Sequence, residues 1–181
     1  MKTLLTVGGS IIACLVVLLV ILRFTGFEPE DCYNSSARWT CNVSGLWLRG
    51  TLVTLPVTDW SFTDPYPHVK IQARTWYLLP HSVTTNFLIY NGQLYIQSTN
   101  VGGAKPNDRF WHKLVARDPH VRLKIGNQLF DRTLLLITDP AEIAGVIQAK
   151  ANRYPAGKGP EWSPWRAATV ETSTVFRVVP N

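Results

Sequence analysis

The chain has 181 residues, of which 46% are hydrophobic and 17% charged, with a formal net charge of +6. Its length supports one domain with a substantial core. The charge excess is mild and accompanies no recognisable nucleic-acid module, so we expect no nucleic-acid partner.

The first feature along the chain is an apolar segment near the N-terminus. Residues 3–22 carry no charge and are bracketed by Lys2 and Arg23, and a segment of this length spans the hydrocarbon core of a bilayer. A cleavable signal peptide is the main alternative, but residues 16–22 are bulky throughout and offer no small-residue cleavage site. We therefore predict an uncleaved single-pass membrane anchor at residues 1–24.

Two cysteines after this segment bear on its orientation. One cationic residue flanks each end of the segment, so the positive-inside comparison is nearly balanced. Cys32 and Cys41 are close enough in sequence for a disulfide loop, which persists in oxidising compartments, although two unpaired thiols are the alternative. The pattern predicts a linker at residues 25–45 and a globular domain outside the cytoplasm, in the periplasm if the source is bacterial.

Several strands are predicted between residues 46 and 98. Strand-like runs at 47–55 and 69–76 precede a hairpin, in which strands 83–90 and 94–98 flank the Asn91-Gly92 turn. Both hairpin strands are rich in β-branched and aromatic residues, and Asn-Gly between such runs is a strong hairpin signal.

An aromatic and basic helix is predicted next, over residues 109–116. Asp108 is the predicted N-cap, and the helix ends before Asp118-Pro119 because proline disfavours helical geometry in the residue that precedes it. One face of this helix would carry three cations, Arg109, Lys113 and Arg117. The opposite face would pack on the core through Phe110, Trp111, Leu114 and Val115.

A second hairpin, a second helix and a final strand complete the pattern. Strands 121–125 and 129–137 flank Gly126-Asn127, and residues 173–179 form the last strand. Asp139 is the predicted cap of a helix whose apolar face holds Ile143, Val146 and Ile147. Mostly antiparallel strands with helices at these two places predict a mainly β, α+β fold: a small split β-barrel over residues 46–181, preceded by the transmembrane helix.

Several motifs in this region are shared with a known superfamily. They are Leu94-Tyr95, the loop Gly102-Gly103-Ala104-Lys105-Pro106, Trp111, Leu114, Asp118-Pro119-His120-Val121 and Gly126. This stretch resembles the FMN-binding split-barrel superfamily, especially its deazaflavin-dependent nitroreductase branch. The terminal residues 176–180 are similar to the closing strand of the pyridoxamine-phosphate oxidase branch. The resemblance covers residues 69–149 well and the rest loosely.

The resemblance implies a homodimer that holds a flavin or deazaflavin at the subunit interface. The residues that would hold the cofactor lie on the first hairpin, the loop after it and the following helix: Thr84, Thr85, Ser98, Thr99, Asn100, Lys105, Arg109, Trp111 and Lys113. Hydroxyls, loop amides and a helix N-terminus beside cations suit an anionic phosphate. The alternatives are that hydroxyls at 98 and 99 satisfy backbone groups, that the cationic helix face is only solvated, and that Trp111 packs in the core.

The chain departs from the deazaflavin branch just before the first hairpin. That branch carries a glycine- and cation-rich segment there, whereas residues 74–82 contain one cation, Arg74, and bulky apolar side chains. FMN, haem or no cofactor therefore stay open. His81, at the mouth of the hairpin, would ligate haem or donate a proton; a partly exposed loop histidine is the alternative. The four histidines lack metal-ligand spacing and no hydrolytic triad or carboxylate pair is evident, so we expect neither a metal centre nor hydrolysis.

The leading prediction is a membrane-anchored, extracytoplasmic oxidoreductase that binds a flavin-type cofactor and acts on a small substrate. In this class the cofactor carries the chemistry, which agrees with the lack of an obvious catalytic acid, base or nucleophile. The alternative is a non-enzymatic accessory subunit or binding module of a membrane complex, built on a degenerate barrel. The anchor, the weakened cofactor segment and the long loop containing Trp162 and Trp165 favour that alternative.

Overall fold

The computed structural model of the chain describes residues 2–30, 43–77, 79–99, 109–153 and 169–181. The predicted Cys32–Cys41 disulfide and the loop with Trp162 and Trp165 lie outside these residues. The elements, in chain order, are α1 (Lys2–Thr25), β1 (Thr51–Leu52), a 3₁₀ turn (Ser61–Thr63), β2 (Val69–Ala73), β3 (His81–Tyr90), β4 (Gln93–Thr99), α2 (Phe110–Arg117), β5 (His120–Ile125), β6 (Gln128–Leu136), α3 (Pro140–Arg153) and β7 (Ser173–Val179).

Six of the strands close into a barrel. The sheet order is β1-β6-β5-β2-β3-β4-β7, and an additional β6–β7 pairing closes the six strands from β6 to β7 into a ring. All pairs within the ring are antiparallel, while the short β1 adds to β6 in parallel. Closure removes the free strand edges that would otherwise invite aggregation. The predicted α+β split barrel is confirmed.

Two turns fix the hairpin registers. Asn91 and Gly92 both have positive φ, 50° and 73°, as a type I′ hairpin turn requires. Gly126 has φ 59° at the second hairpin, where a Cβ would also meet the ring of Tyr66. Glycine and asparagine adopt positive φ at low energetic cost, so the sequence could predict both turns.

Two hydrophobic clusters hold the fold together. The barrel interior contains fully buried Phe87, Leu123 and Phe130, together with Leu114 and Val115 of α2, which closes one end. The second cluster lies outside the barrel wall, where Ile143 and Val146 of α3 pack on Leu88, Tyr95 and Val175. The caps of α3 follow the prediction, because Asp139 Oδ1 accepts a hydrogen bond from Ala141 N at 3.0 Å.

The core-facing side of α2 differs from the prediction at two positions. Phe110 is 48% exposed, whereas His112 is 1% exposed. The helix begins at Phe110, with Arg109 as an N-cap that makes no side-chain cap bond, and the predicted cap Asp108 lies outside the described residues. Because 111, 112, 114 and 115 face the barrel, Phe110 falls at the edge of the interface, against His81 with ring centroids 4.9 Å apart.

The opening strands are shorter than predicted. Only Thr51 and Leu52 of the run 47–55 pair with another strand, and β2 stops at Ala73. The backbone of residues 46–48 instead pairs partly with the segment after α1: Leu46 N donates to Phe27 O at 2.6 Å, and Phe27 N donates to Trp47 O at 3.1 Å. The apolar residues of that run therefore pack as a short segment against the barrel, and the run does not form a full barrel strand.

The helix α1 has the length and composition of a membrane span. Its residues Val7–Thr25 have a mean hydropathy of 2.6, and none of this surface is buried against the rest of the chain. A helix of this length rises about 28 Å at about 1.5 Å per residue, close to the hydrocarbon thickness of a bilayer.

One carboxylate ties the segment after α1 to the outer wall of the barrel. Glu28 accepts hydrogen bonds from Lys70 Nζ at 2.8 Å, Lys124 Nζ at 2.5 Å and Arg49 N at 2.9 Å. Burial by itself would raise the pKa of Glu28, but the bonds from Lys124, Lys70 and Arg49 N outweigh it and lower that pKa. The carboxylate is therefore ionised at neutral pH and holds the segment after α1 against strands β2 and β5.

Candidate cofactor pocket

A pocket of about 310 Å³ lies between the start of β3, the N-terminal end of α2 and the residues that follow α1. From β3 it takes His81, Val83, Thr84 and Thr85, and from the region of α2 it takes Arg109, Phe110 and Trp111. Pro29, Glu30, Val43 and Ser44 complete the lining. Its size is within the range of small-molecule sites.

The pairing of β2 with β3 positions the β3 side of this pocket. Val69 lies opposite Thr85, Ile71 opposite Val83 and Ala73 opposite His81. The β2 partners are buried in the barrel, so 81, 83 and 85 belong to the interior face of β3 at the end that α2 covers. Thr84 belongs to the outer face, where its hydroxyl donates to the Glu30 carbonyl at 3.0 Å.

The ionisable residues that line the pocket are one cation, Arg109, one carboxylate, Glu30, and one histidine, His81. Arg109 is exposed at its rim. Burial lowers the pKa of His81, so its ring is uncharged at neutral pH. A guanidinium beside hydroxyls can bind a phosphate, and an uncharged imidazole can accept a proton or ligate a metal.

Four of the nine residues predicted for the cofactor meet at this pocket: Thr84, Thr85, Arg109 and Trp111. Ser98 is buried between β4 and β7, opposite Thr174, and Lys113 is exposed on α2; neither lines the pocket. Thr99 lies in β4 opposite Ser173, and its side chain is outside the description. Asn100 and Lys105 fall outside the described residues, so their role stays a prediction.

Trp111 serves the core more than the pocket. It is 5% exposed, and its ring contacts His112 and Phe176 at centroid distances of 4.1 and 5.5 Å. Phe110, which the sequence assigned to the core, is the more accessible aromatic ring there.

No protein-family model matches the sequence, and no curated protein matches it. Solved structures resemble it in fold. A conserved hypothetical protein from Mycobacterium tuberculosis aligns with a TM-score of 0.51 and 12% identity over 72% of this chain and 86% of that chain. A pyridoxamine 5'-phosphate oxidase candidate from Listeria innocua aligns at 0.47 and 18% over 67% and 89%, and an F420-H2-dependent reductase at 0.45 and 18% over 68% and 98%.

The chain has the split-barrel fold. At these identities the likeness concerns the fold alone, so the chemistry of the pocket rests on its own residues.

A buried polar cluster on the far side of β4 was missed by the sequence analysis. Lys150 of α3 is 4% exposed and donates to Gln97 Oε1, and Gln97 Nε2 donates to Ser173 Oγ at 3.0 Å. Burial lowers the pKa of Lys150 to about 8. The sequence signal for the burial of Lys150 was its position four residues after Val146, which places it on the apolar face of α3.

Proposed function

We propose that the split barrel binds a flavin-type cofactor in the pocket between β3 and α2. The bound cofactor would transfer hydride or electrons to or from a small substrate. The observation that carries this proposal is that Thr84, Thr85, Arg109 and Trp111, which the family resemblance implies as cofactor-binding residues, line one pocket together with His81.

The residues present fit a phosphorylated flavin in a definite division of roles. The Arg109 guanidinium and the Thr85 hydroxyl would hold the phosphate, since a charge-assisted bond to a phosphate is among the stronger hydrogen bonds. The exposed ring of Phe110 offers an aromatic face for the flavin ring. The hydroxyl of Thr84 already donates to Glu30 O, so this residue would shape the pocket through the segment it holds.

The cofactor, when bound, supplies the redox chemistry. The protein holds and orients it; burial lowers the pKa of His81 and keeps its ring neutral, which leaves one ring nitrogen without a proton and able to accept one. The edge-on contact between His81 and Phe110 fixes the imidazole beside the aromatic wall. Substrate identity would be decided by the remaining open side of the pocket.

Titration with FMN tests this proposal. The full-length protein, purified gently in detergent, should show flavin absorbance or bind added FMN, and Arg109→Gln should weaken binding at least about tenfold because one charge-assisted bond is lost. Lys113→Gln, one turn along the same helix and outside the pocket lining, is the matched control and should bind like the wild type. A purified protein that has no flavin absorbance and does not bind added FMN would overturn the proposal.

The location of the barrel is the second part of the proposal. We place α1 in a membrane as a single-pass anchor and the barrel outside the cytoplasm, which the closely spaced Cys32 and Cys41 support. Alkaline phosphatase fused after Asn181 should be active in a bacterial host, and the same fusion lacking residues 2–25 should be inactive. Activity of a cytoplasmic reporter at the same position would reverse the orientation.

An accessory role without a cofactor is the second candidate. The observation that favours it is a hydrogen bond in the pocket wall. The Thr84 hydroxyl already donates to the carbonyl of Glu30, so this hydroxyl is engaged by the chain itself. Recovery of a stoichiometric partner from native membranes, with no visible chromophore, would support this reading. Haem held by His81 is a further option, and a Soret band that disappears in His81→Ala would identify it.

A further inference from the structure

A second pocket lies where α1 meets the barrel. It has a volume of about 590 Å³ and lies between the last turn of α1, residues 48–50 and the strands β5 and β6. Four cations line it, Arg23, Arg49, Arg122 and Lys124, and its nine lining residues include no acidic side chain. Arg23 lies on α1, Arg49 lies just before β1, and Arg122 and Lys124 both lie on β5, so folding brings these charges together from three separate parts of the chain.

The cations are only partly neutralised by their neighbours. Arg122 pairs with Asp131 through two bonds of 2.7 and 2.9 Å, and Lys124 pairs with Glu28. The side chain of Arg49 donates to the Thr25 carbonyl at 3.4 Å, a long bond to a neutral acceptor. Arg23 makes no ion pair within the described ranges. Two guanidinium groups therefore face the pocket without a carboxylate partner among the described residues, which leaves a net positive charge there.

The position of Arg23 defines the surroundings of this pocket. Arg23 lies in the last turn of α1, within the apolar span Val7–Thr25, and the neighbouring Phe24 is 73% exposed. In a helix that crosses a bilayer, a cation in the last turn lies at the depth of the lipid headgroups, and an exposed aromatic ring beside it is typical of that depth. The pocket therefore opens at the level of lipid phosphates.

We propose that this pocket binds the headgroup of an anionic phospholipid, with Arg23 and Arg49, the two cations without a carboxylate partner among the described residues, contacting the phosphate. Leu48 and Leu129, both 5% exposed, provide an apolar floor. The inference rests on the anchor in the proposed function and is independent of the cofactor. Its consequence is a preference for anionic over zwitterionic lipid at one site on the protein.

Native mass spectrometry of the full-length protein in detergent tests the inference, with phosphatidylglycerol, phosphatidylcholine and inorganic phosphate as separate probes. Phosphatidylglycerol should bind at one site in preference to phosphatidylcholine. The double variant Arg23→Gln/Arg49→Gln should weaken this binding roughly 30-fold, since each cation near a lipid surface contributes a factor of about five. The matched control Arg74→Gln/Lys113→Gln removes two exposed cations outside the pocket lining and should bind like the wild type.

The outcomes separate this inference from the anchor on which it rests. Extraction of the wild type from neutral-lipid vesicles by carbonate would overturn the anchor. Firm insertion with equal binding of the two lipids, or equal losses in the two double variants, would overturn only the headgroup site. Displacement of phosphatidylglycerol by millimolar inorganic phosphate would assign the pocket to free phosphate and overturn its assignment to lipid.

Discussion

Lowering the pH from 7.5 to 5 is expected to reduce the free energy of unfolding by about 2 kcal/mol through His112 alone. This ring is 1% exposed, lies between Trp111 and Phe176, and neither of its nitrogens has a hydrogen-bond partner among the described residues. Burial, and secondarily the charge of Arg109, lowers the pKa of His112 to about 4.

The sign of this effect follows from the two pKa values. The folded state holds His112 neutral down to about pH 4, whereas the unfolded chain takes up a proton below about pH 6.5. Protonation therefore favours the unfolded state, and stability that is complete above pH 6.5 is lost as the pH falls towards 4.

The measurement is urea unfolding of the detergent-solubilised protein, followed by tryptophan fluorescence at both pH values, for the wild type and His112→Phe. At pH 7.5 the two should be similar in stability, because the replacement removes two unpaired polar atoms and keeps an aromatic ring. At pH 5 the variant should be more stable by about 2 kcal/mol. If the stability of both proteins depended on pH in the same way, a group in the folded protein would have to stabilise the protonated ring of His112. That result would contradict the prediction.

Replacement of Gly45 by alanine is expected to destabilise the protein by about 2–3 kcal/mol through overpacking. A Cβ at this position would lie 2.5 Å from each of Phe27 O, Pro29 N and Ser82 Oγ. Two of these atoms are backbone, and Ser82 is fully buried. Residues 26–30, which follow α1, are called the strap here. The close contacts can be relieved only if the strap separates from the barrel.

Both backbone polar groups of Gly45 are also hydrogen-bonded to β3. Its N–H donates to Ser82 O and its carbonyl accepts from Ser82 N, each at 2.9 Å. Ser44→Ala, at the exposed neighbouring position, is the control and should change stability by less than about 0.5 kcal/mol. Unfolding midpoints and the rate of proteolysis within the strap would both report the effect; a Gly45→Ala protein as stable and as protease-resistant as Ser44→Ala would refute it.

Local sequence signals were sufficient for most of the barrel. The Asn91-Gly92 turn, the last strand Ser173–Val179 and the cap at Asp139 each depend on residues adjacent in the chain, and the structure confirms them. Positions decided by contacts between distant elements were predicted less well. The exchange of Phe110 and His112 between surface and core depends on how α2 sits on the barrel end, which periodicity alone does not determine.

The candidate site shows the same division between local and long-range information. Thr84, Thr85 and Arg109 were implied by the family resemblance, which depends on the sequence around the first hairpin and the following helix, and they line the pocket. The wall formed by Pro29, Glu30, Val43 and Ser44 could not be foreseen, because it depends on the strap returning across β3. Burial of Lys150 likewise depends on Gln97, which is 53 positions away in sequence.

The three bonds to Glu28 restrict how two copies of this protein can associate. They join the strap to β2, β5 and residue 49, so the strap is held to the barrel only three residues after the end of α1. If α1 is the membrane anchor that we propose, two copies enter the same bilayer from the same side, and a two-fold symmetric pair can have its axis only along the membrane normal. Surfaces on the flank of the barrel can then meet, whereas the surface that faces the lipid and the one opposite it are excluded as symmetric contacts.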